Sequence, residues 1–221
     1  MLAQGADSLW NTQITGQREG GEPFTYVFFS GGGMGARPAG DGLSATAFPS
    51  GIRGVPAEVI ESISPVVMHR REFRPDSEGP GRYRGGFGQE MEVGVRSTSP
   101  WTLSAMYDRT RCPAQGIQGG YPGAAGAVRT TGCKELHPKR QQRMGAEERV
   151  ILSLPGGGGY GDPLEREPDL VARDVRDGLV SVERARDRYG VVLVEGERCV
   201  ADHEATARRR GEAKEPQDGS P

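Results

Sequence analysis

Two stretches of the chain alternate apolar and polar residues with the period of two that is typical of a half-buried β-strand. They cover residues 91–95 and 101–107. Residues 24–29, which are rich in aromatic side chains, and residues 66–73, which begin with β-branched side chains, are also predicted strands. The runs DSEGPGRYRGG and STSP are typical of turns. The strands that they connect, at residues 66–73, 91–95 and 101–107, are therefore predicted to be consecutive and antiparallel.

The last third of the chain carries the signals of a helical hairpin. Residues 150–154 predict a short strand that leads into PGGGGYGDP. Pro168 suits the first position of a helix and Gly178 suits its end. Ser181 suits the N-cap of a second helix and Gly190 its C-terminal stop.

These elements predict an α+β fold that is β-rich, with a mainly antiparallel sheet, glycine-rich loops and a C-terminal helical hairpin. Residues 1–195 are expected to form one domain. Residues 196–221 are polar, charged and poor in large apolar side chains. They are expected to be a disordered tail.

Composition narrows the possible partners. The 221 residues include 34% hydrophobic residues and 35 glycines, and 28 Lys and Arg nearly balance 30 Asp and Glu. No strong charge favours nucleic acid or an anionic membrane, so small molecules or proteins are the expected partners. No stretch predicts a membrane span or a secretory signal, which favours a cytoplasmic protein. Cys112, Cys133 and Cys199 are widely spaced, which argues against disulfides and against a zinc site.

The run FFSGGGMGARPAGDG is the first candidate site. Gly31, Gly33 and Ala36 match a dinucleotide-binding pattern, but Pro38 and the glycines that follow prevent the helix which that pattern requires. No Gly-Lys-Ser/Thr run indicates a phosphate-binding P-loop either. Two interpretations remain.

In the first interpretation, this run is a tight turn closed by a local pair between Arg37 and Asp41. In the second, it contacts a substrate or a partner through Gly32, Gly33, Arg37 and Asp41. Glycine there would permit positive φ angles and close approach.

The second glycine-rich run contains Gly156, Gly158 and Gly161. It follows a strand and precedes helices, as a nucleotide-binding turn does. Asp162-Pro163 interrupts it, however, and the several parallel strands of a nucleotide-binding sheet are not evident. The run is either a nucleotide site or a structural loop on which the helices pack.

The titratable residues indicate no particular reaction. His69, His137 and His203 are too far apart to form the paired spacing of a helical metal site, so no metal site is expected within this chain. Asp76, Glu78, Arg82 and Arg84 crowd one turn. They form either a solvated loop with weak ion pairs or an anion clamp built on the two arginines, with Asp76 as a further substrate-binding candidate.

Six runs along residues 5–195 together resemble the hydantoinase B/oxoprolinase family. They are WNTQITGQ, GEPFTYVFFSGGGMGARPAGDG, VPAEVIES, EFRPDSEGPGRYRGGFGQEMEV, LPGGGGYGDPLER and VRDGLVSVERARDRYGVVL. The family includes the B-type subunit of N-methylhydantoinase, the corresponding half of 5-oxoprolinase, and large subunits of acetone and acetophenone carboxylases. The resemblance identifies the chain as a C-terminal portion of such a protein.

The resemblance implies an ATP-dependent enzyme that opens the ring amide of a small cyclic substrate such as a hydantoin or 5-oxoproline. It implies a hetero-oligomer in which a hydantoinase A-like subunit handles ATP with Mg, and it places any divalent metal in an N-terminal half outside this chain. Two alternatives stay open: the large subunit of an ATP-dependent ketone carboxylase, and a non-catalytic assembly module that docks the A-type subunit.

Overall fold

The computed structural model describes residues 1–6, 9–46, 54–194 and 199–214. The strands are β1 (Trp10–Gln17), β2 (Pro23–Ser30), β3 (Val66–Phe73), β4 (Gln89–Val95), β5 (Trp101–Met106), β6 (Ala127–Thr130), β7 (Gln141–Met144), β8 (Val150–Ser153), β9 (Leu193–Val194) and β10 (Val200–Ala201). The helices are α1 (Ala57–Ile63), α2 (Pro168–Arg176), α3 (Val182–Tyr189) and α4 (His203–Lys214), with a 3-10 helix at Pro163–Glu165. The α+β fold predicted from the sequence is confirmed.

Two four-stranded antiparallel sheets enclose the main core. The first sheet has the order β2-β1-β5-β7 and the second the order β3-β4-β8-β6. Alternate side chains of the first sheet, such as Trp10, Ile14 and Leu103, share one hydrophobic core with Met91 and Leu152 of the second. The period-two pattern of the sequence therefore reflects one buried and one outward face for each sheet.

The predicted strands at residues 24–29, 66–73, 91–95 and 150–154 are confirmed as β2, β3, β4 and β8. The predicted pairing is correct for β3 with β4, but β4 and β5 are not neighbours. Instead, β5 pairs with β1 and β7, so the short STSP connection carries the chain from one sheet to the other. An alternating pattern fixes which face of a strand is buried but does not identify its neighbour.

The helical hairpin forms as predicted. Ser181 Oγ accepts a hydrogen bond of 3.1 Å from the Arg184 amide at the start of α3, and Gly190 ends that helix with φ 63°. Val171 of α2 and Ala185 and Tyr189 of α3 are fully buried in a second hydrophobic cluster. This cluster also contains Phe87, which anchors the hairpin to the loop before β4.

The region expected to be a disordered tail contains regular structure. Residues 199–214 include β10, which pairs with β9, and the helix α4. Ala201 and Thr206 are buried, and the Thr206 hydroxyl accepts a hydrogen bond from the Val192 amide. A few small buried side chains and backbone pairing hold this segment, which is why composition did not reveal it. The remainder of the expected tail, 196–198 and 215–221, lies outside the described residues.

We expect Ser181→Ala to destabilise the protein by about 1 kcal/mol, because the Arg184 amide loses its cap acceptor. The melting temperature should fall by roughly 2–4 °C in a chain of this size. Ser62→Ala is the matched control, since Ser62 is exposed and only donates to the Val59 carbonyl within α1. An equal change in both variants would contradict the role of the cap.

Candidate functional site

Several glycine-rich loop segments pack against one another, backbone to backbone, beside the two sheets. We call this assembly the glycine cluster and define it as residues 31–36, 77–88, 114–124 and 155–161. Their amides and carbonyls pair directly, as in Gly33 N to Pro155 O at 3.0 Å and Gly157 N to Gly86 O at 3.0 Å. The segments thus satisfy buried backbone groups without forming a regular sheet.

Close approach explains the glycines of the first candidate run. A Cβ atom on Gly33 would lie 1.8 Å from the Gly86 carbonyl oxygen, and one on Gly32 would lie 2.4 Å from the Pro155 carbonyl oxygen. Neither Gly32 nor Gly33 is among the described glycines with positive φ. The expectation that this loop uses glycine for positive φ is therefore wrong, and the second expected reason, close approach, applies.

The second glycine-rich run is also part of the glycine cluster. Four successive amides, those of residues 156–159, donate to the carbonyls of Ala124, Gly86, Gln4 and Tyr121. A phosphate-binding turn needs such amides free to face the ligand. This arrangement supports the structural-loop interpretation of PGGGGYGDP over the nucleotide-site interpretation.

A cavity of about 230 Å³ opens on the first glycine-rich run. Its lining is mostly small or apolar and comprises Leu2, Ala3, Gly5, Ala6, Gly33, Met34, Gly35, Arg37 and Thr46. Gly33 and Gly35 contribute backbone rather than side chains to the wall. Hydrogen bonds from Ala3 N to Ala36 O and from Ala6 N to Gly33 O fix the N-terminal residues of the lining against the first glycine-rich run. Arg37 is the charged residue of this lining.

The predicted local pair between Arg37 and Asp41 is wrong. The Asp41 carboxylate accepts hydrogen bonds from Arg166 at 2.7 and 2.9 Å, and its Oδ1 also accepts one of 2.9 Å from the Arg84 amide. The Arg37 side chain is exposed and makes no ion pair in the part of the chain that the structure describes. The Arg37 guanidinium group is therefore available to contact a molecule bound in the cavity.

Asp41 belongs to a buried ionic network that joins the glycine cluster to the helical hairpin. Asp174 of α2 accepts two hydrogen bonds from Arg84, at 3.0 and 3.3 Å, and one of 3.0 Å from Arg166. Arg166 and Asp174 are almost fully buried. The Arg84 guanidinium also lies 4.3 Å from the centre of the Phe87 ring. Two carboxylates and two guanidinium groups compensate one another, which suits a dry, permanent contact.

Protonation in this network follows from the pairing. Burial opposes ionisation of Asp41, but the hydrogen bonds and charges of Arg166 and Arg84 outweigh it and lower the pKa of the carboxyl. Burial likewise disfavours the Arg166 cation, while Asp41 and Asp174 raise the pKa of the guanidinium. Asp41 and Arg166 therefore both stay charged at neutral pH.

The other candidates lie around a second buried carboxylate. Glu78 is fully buried and accepts hydrogen bonds from Arg184 Nε at 2.8 Å and Tyr189 Oη at 3.1 Å. Burial raises the pKa of Glu78, although Arg184 and Tyr189 oppose the shift. Asp76 has φ 54° and accepts a hydrogen bond of 2.8 Å from the Ser181 amide, which supports the start of α3.

Arg82 and Arg84 do not share a partner. Arg82 is half exposed and lies 3.7 Å from the exposed Glu165 carboxylate, whereas Arg84 uses its Nε and Nη2 donors on the buried Asp174. The structure thus separates the two arginines of the suggested clamp. The solvated-loop interpretation is wrong for Glu78 and Arg84, because Glu78 is buried, the Arg84 side chain is only 11% exposed, and both are paired.

Sequence reasoning missed Arg166, Asp174 and Arg184, which supply the partners of the predicted charges. One signal was available for Asp174. It lies three residues after Val171 on α2, so it shares the apolar face that faces the core. A carboxylate on that face indicates a buried cation opposite, but the sequence does not say which arginine supplies it.

Within residues 1–6, 9–46, 54–194 and 199–214, no three His, Cys, Asp or Glu side chains are grouped to hold a metal ion. In the same ranges, no helix has both the length and the apolar character of a membrane span.

Comparison with known proteins decides the family. The model of the hydantoinase B/oxoprolinase family matches residues 1–163. The chain belongs to the hydantoinase B/oxoprolinase family. It is 33% identical over 192 residues to the B-type subunit of a putative D-/L-hydantoinase from Pseudomonas sp. (strain NS671), in a match that covers 83% of this chain and 31% of that relative.

Two solved structures of the family share the fold. Nucleotide-free acetone carboxylase superposes with a TM-score of 0.80 and 25% identity, over 98% of this chain and 35% of that one. The ATP-dependent caprolactamase of Pseudomonas jessenii gives a TM-score of 0.78 and 27% identity, over 95% and 38%. The chain thus spans about a third of the length of these relatives.

We expect Gly33→Ala to lower the free energy of unfolding by about 3 kcal/mol or more, because the new Cβ would meet backbone atoms of Gly86 and Gly157 that cannot rotate away. Gly20→Ala is the control, since nothing lies within 4 Å of a Cβ there. It should change stability by less than about 0.5 kcal/mol in urea unfolding. A Gly33→Ala variant as stable as the parent would disprove the close approach.

Asp41→Asn should cost about 3 kcal/mol at pH 7, because it removes the charge that compensates the buried Arg166. The lowered pKa of Asp41 makes its stabilisation complete above its unfolded pKa of about 3.9, and this stabilisation is lost as the pH falls through the lower folded value. Urea unfolding from pH 7 to pH 2 should therefore show the gap between parent and variant closing below about pH 4.

The exposed Asp177→Asn variant is the control for Asp41→Asn and should follow the parent at each pH. A gap between parent and Asp41→Asn that stays constant down to pH 2 would show that the Asp41 charge is not what stabilises the network.

Proposed function

We propose that this chain is a C-terminal portion of the B-type subunit of an ATP-dependent cyclic amidohydrolase, which opens the ring amide of a hydantoin or of 5-oxoproline. Family membership supports a reaction of this class. The observation that carries the proposal is the cavity of about 230 Å³, a small and mainly apolar space whose wall holds the Arg37 guanidinium group, which makes no ion pair within the described residues.

The size and lining of the cavity suit a small ring. Its volume lies below the roughly 300–1,000 Å³ that is usual for drug-sized ligands, so it accommodates only a compact molecule. Leu2, Ala3, Ala6 and Met34 offer apolar contact to ring methylene groups. Arg37 offers planar donors to a carboxylate, a ring carbonyl or a phosphorylated oxygen.

The ionic network positions this cavity without taking part in the chemistry. Asp41 lies four residues after Arg37 and is fixed to Arg166 and to the Arg84 amide. The turn that carries Arg37 is closed by reciprocal backbone hydrogen bonds between Arg37 and Gly40. Asp41 and Arg84 are therefore proposed as positioning residues, and Arg37 as the residue that contacts the substrate.

ATP, in this proposal, is handled with Mg by a hydantoinase A-like partner in a hetero-oligomer. Several relatives are named as subunits, including the beta subunit of the caprolactamase of Pseudomonas jessenii, and the caprolactamase structure is described as ATP-dependent. In this chain the glycine-rich amides at residues 156–159 are already paired, which supports a nucleotide site elsewhere in the complex.

A ketone carboxylase is the second candidate. The superposition of 98% of this chain on acetone carboxylase favours it. The same cavity would then hold a small ketone. Bicarbonate-dependent consumption of ATP with acetone would support the carboxylase, whereas ATP-dependent ring opening of 5-oxoproline or N-methylhydantoin would support the amidohydrolase. Complex formation without either activity would support an assembly module and would refute both enzymatic candidates.

We expect Arg37→Ala to raise KM for the cyclic amide by roughly 10-fold or more in the complete complex, the loss typical of a charge-assisted hydrogen bond. The value of kcat should change less, since Arg37 binds rather than reacts. The complex is assembled from this chain, an A-type subunit and the part of a B-type subunit that this chain lacks.

Arg208→Ala is the control for Arg37→Ala, because Arg208 is an exposed arginine on α4. Equal KM values for the parent, Arg37→Ala and Arg208→Ala would refute the substrate contact. A fall in kcat alone would assign Arg37 a different role.

A further inference from the structure

The outward face of the first sheet carries no charge across three neighbouring strands. The register sets its outward positions in three rows across β2, β1 and β5. These rows are Phe29–Asn11–Met106, Val27–Gln13–Ser104 and Thr25–Thr15–Thr102. Val27 is 42% exposed, Phe29 52% and Met106 61%, so large apolar side chains lie on this face beside uncharged polar ones. Such a face is costly to leave in water.

The second sheet provides an internal comparison, because its outward face is charged and paired. Arg70 of β3 pairs with Glu90 of β4. Arg149 donates a hydrogen bond of 3.0 Å to Glu92, which is also on β4. Charged side chains of this kind keep a sheet face hydrated. The outward face of the second sheet therefore has the character of a solvent-facing surface, and that of the first sheet has the character of a covered one.

The edge of the first sheet is equally uncharged. Among the described strands, β2 is the edge strand at one end of that sheet and pairs with β1 alone. Its eight residues, PFTYVFFS, include no charged side chain. Pro23, at the first position, is the one residue of the strand of a type that commonly hinders pairing at a sheet edge. β7, at the opposite edge, carries the exposed Arg143. An uncharged eight-residue edge strand is a site for pairing with another polypeptide.

We propose that this face and the β2 edge together form a docking surface for the part of a hydantoinase B-type polypeptide that this chain does not cover. About two thirds of the length of the relatives lies outside the matched region. An apolar face beside an uncharged strand edge is a surface that another stretch of polypeptide covers by side-chain packing and strand pairing. The inference rests on the proposed function only in taking a B-type polypeptide as the occupant.

The test is co-purification. This chain carries an affinity tag and is co-expressed with the remaining, unmatched part of the B-type subunit of the putative D-/L-hydantoinase from Pseudomonas sp. (strain NS671). The parent chain should retain that polypeptide, and Phe29→Lys or Met106→Lys should reduce retention at least 10-fold. Both side chains are exposed, so each variant alone should melt at the parent temperature, which separates lost docking from lost folding.

Phe73→Lys is the matched control, because Phe73 is 46% exposed on β3 of the second sheet and its replacement should leave retention unchanged. Arg37→Ala should also bind as the parent does, so a failure of the proposed activity would not affect this result. Retention by Phe29→Lys equal to the parent, or no retention by the parent, would overturn the proposal. A parent dimer that Phe29→Lys dissociates, seen by light scattering, would assign the surface to a second copy and would also overturn it.

Discussion

The structure depends on the close approach of backbones that only glycine allows. At Gly156 and Gly157, a side chain would meet the carbonyl oxygens of Ser77 and Met34 at less than 2 Å, 1.7 and 1.9 Å respectively. Because these segments satisfy each other's amides and carbonyls, they form a hydrogen-bonded core beside the two hydrophobic clusters. The sheets, the cavity and the helical hairpin are all placed relative to this assembly.

The buried charges perform a second, different task. Apolar packing at Phe87 and Val171 brings α2 to the glycine cluster, but apolar contact alone tolerates small shifts of a helix. The network of Asp41, Arg84, Arg166 and Asp174 requires one arrangement, because any shift leaves a desolvated charge without its partner. Burying these ions contributes little net stability, and we interpret the network as the device that fixes the orientation of the hairpin.

The sequence predicted the local elements well, since β2, β3, β4, β8 and the helix caps at Ser181 and Gly190 each depend on nearby residues. It failed where the deciding contact was distant. The separation of β4 from β5 is set by pairing with β1 and β7, and the partner of Asp41 lies 125 residues away at Arg166. For the glycine-rich runs the sequence allowed close approach as one reason for the glycines, but it did not show which segments approach one another, because four segments meet at once.

The wide separation of these segments along the chain determines when the protein is able to fold. Two amides of residues 31–36, those of Gly33 and Ala36, donate to the carbonyls of Pro155 and Gly158, so these amides stay hydrated until the segment at residues 155–161 has packed. Closing such a loop costs entropy that is offset only when the last segment arrives. We therefore expect the packing of residues near 160 to be the final link that converts a loose pair of sheets into the native protein.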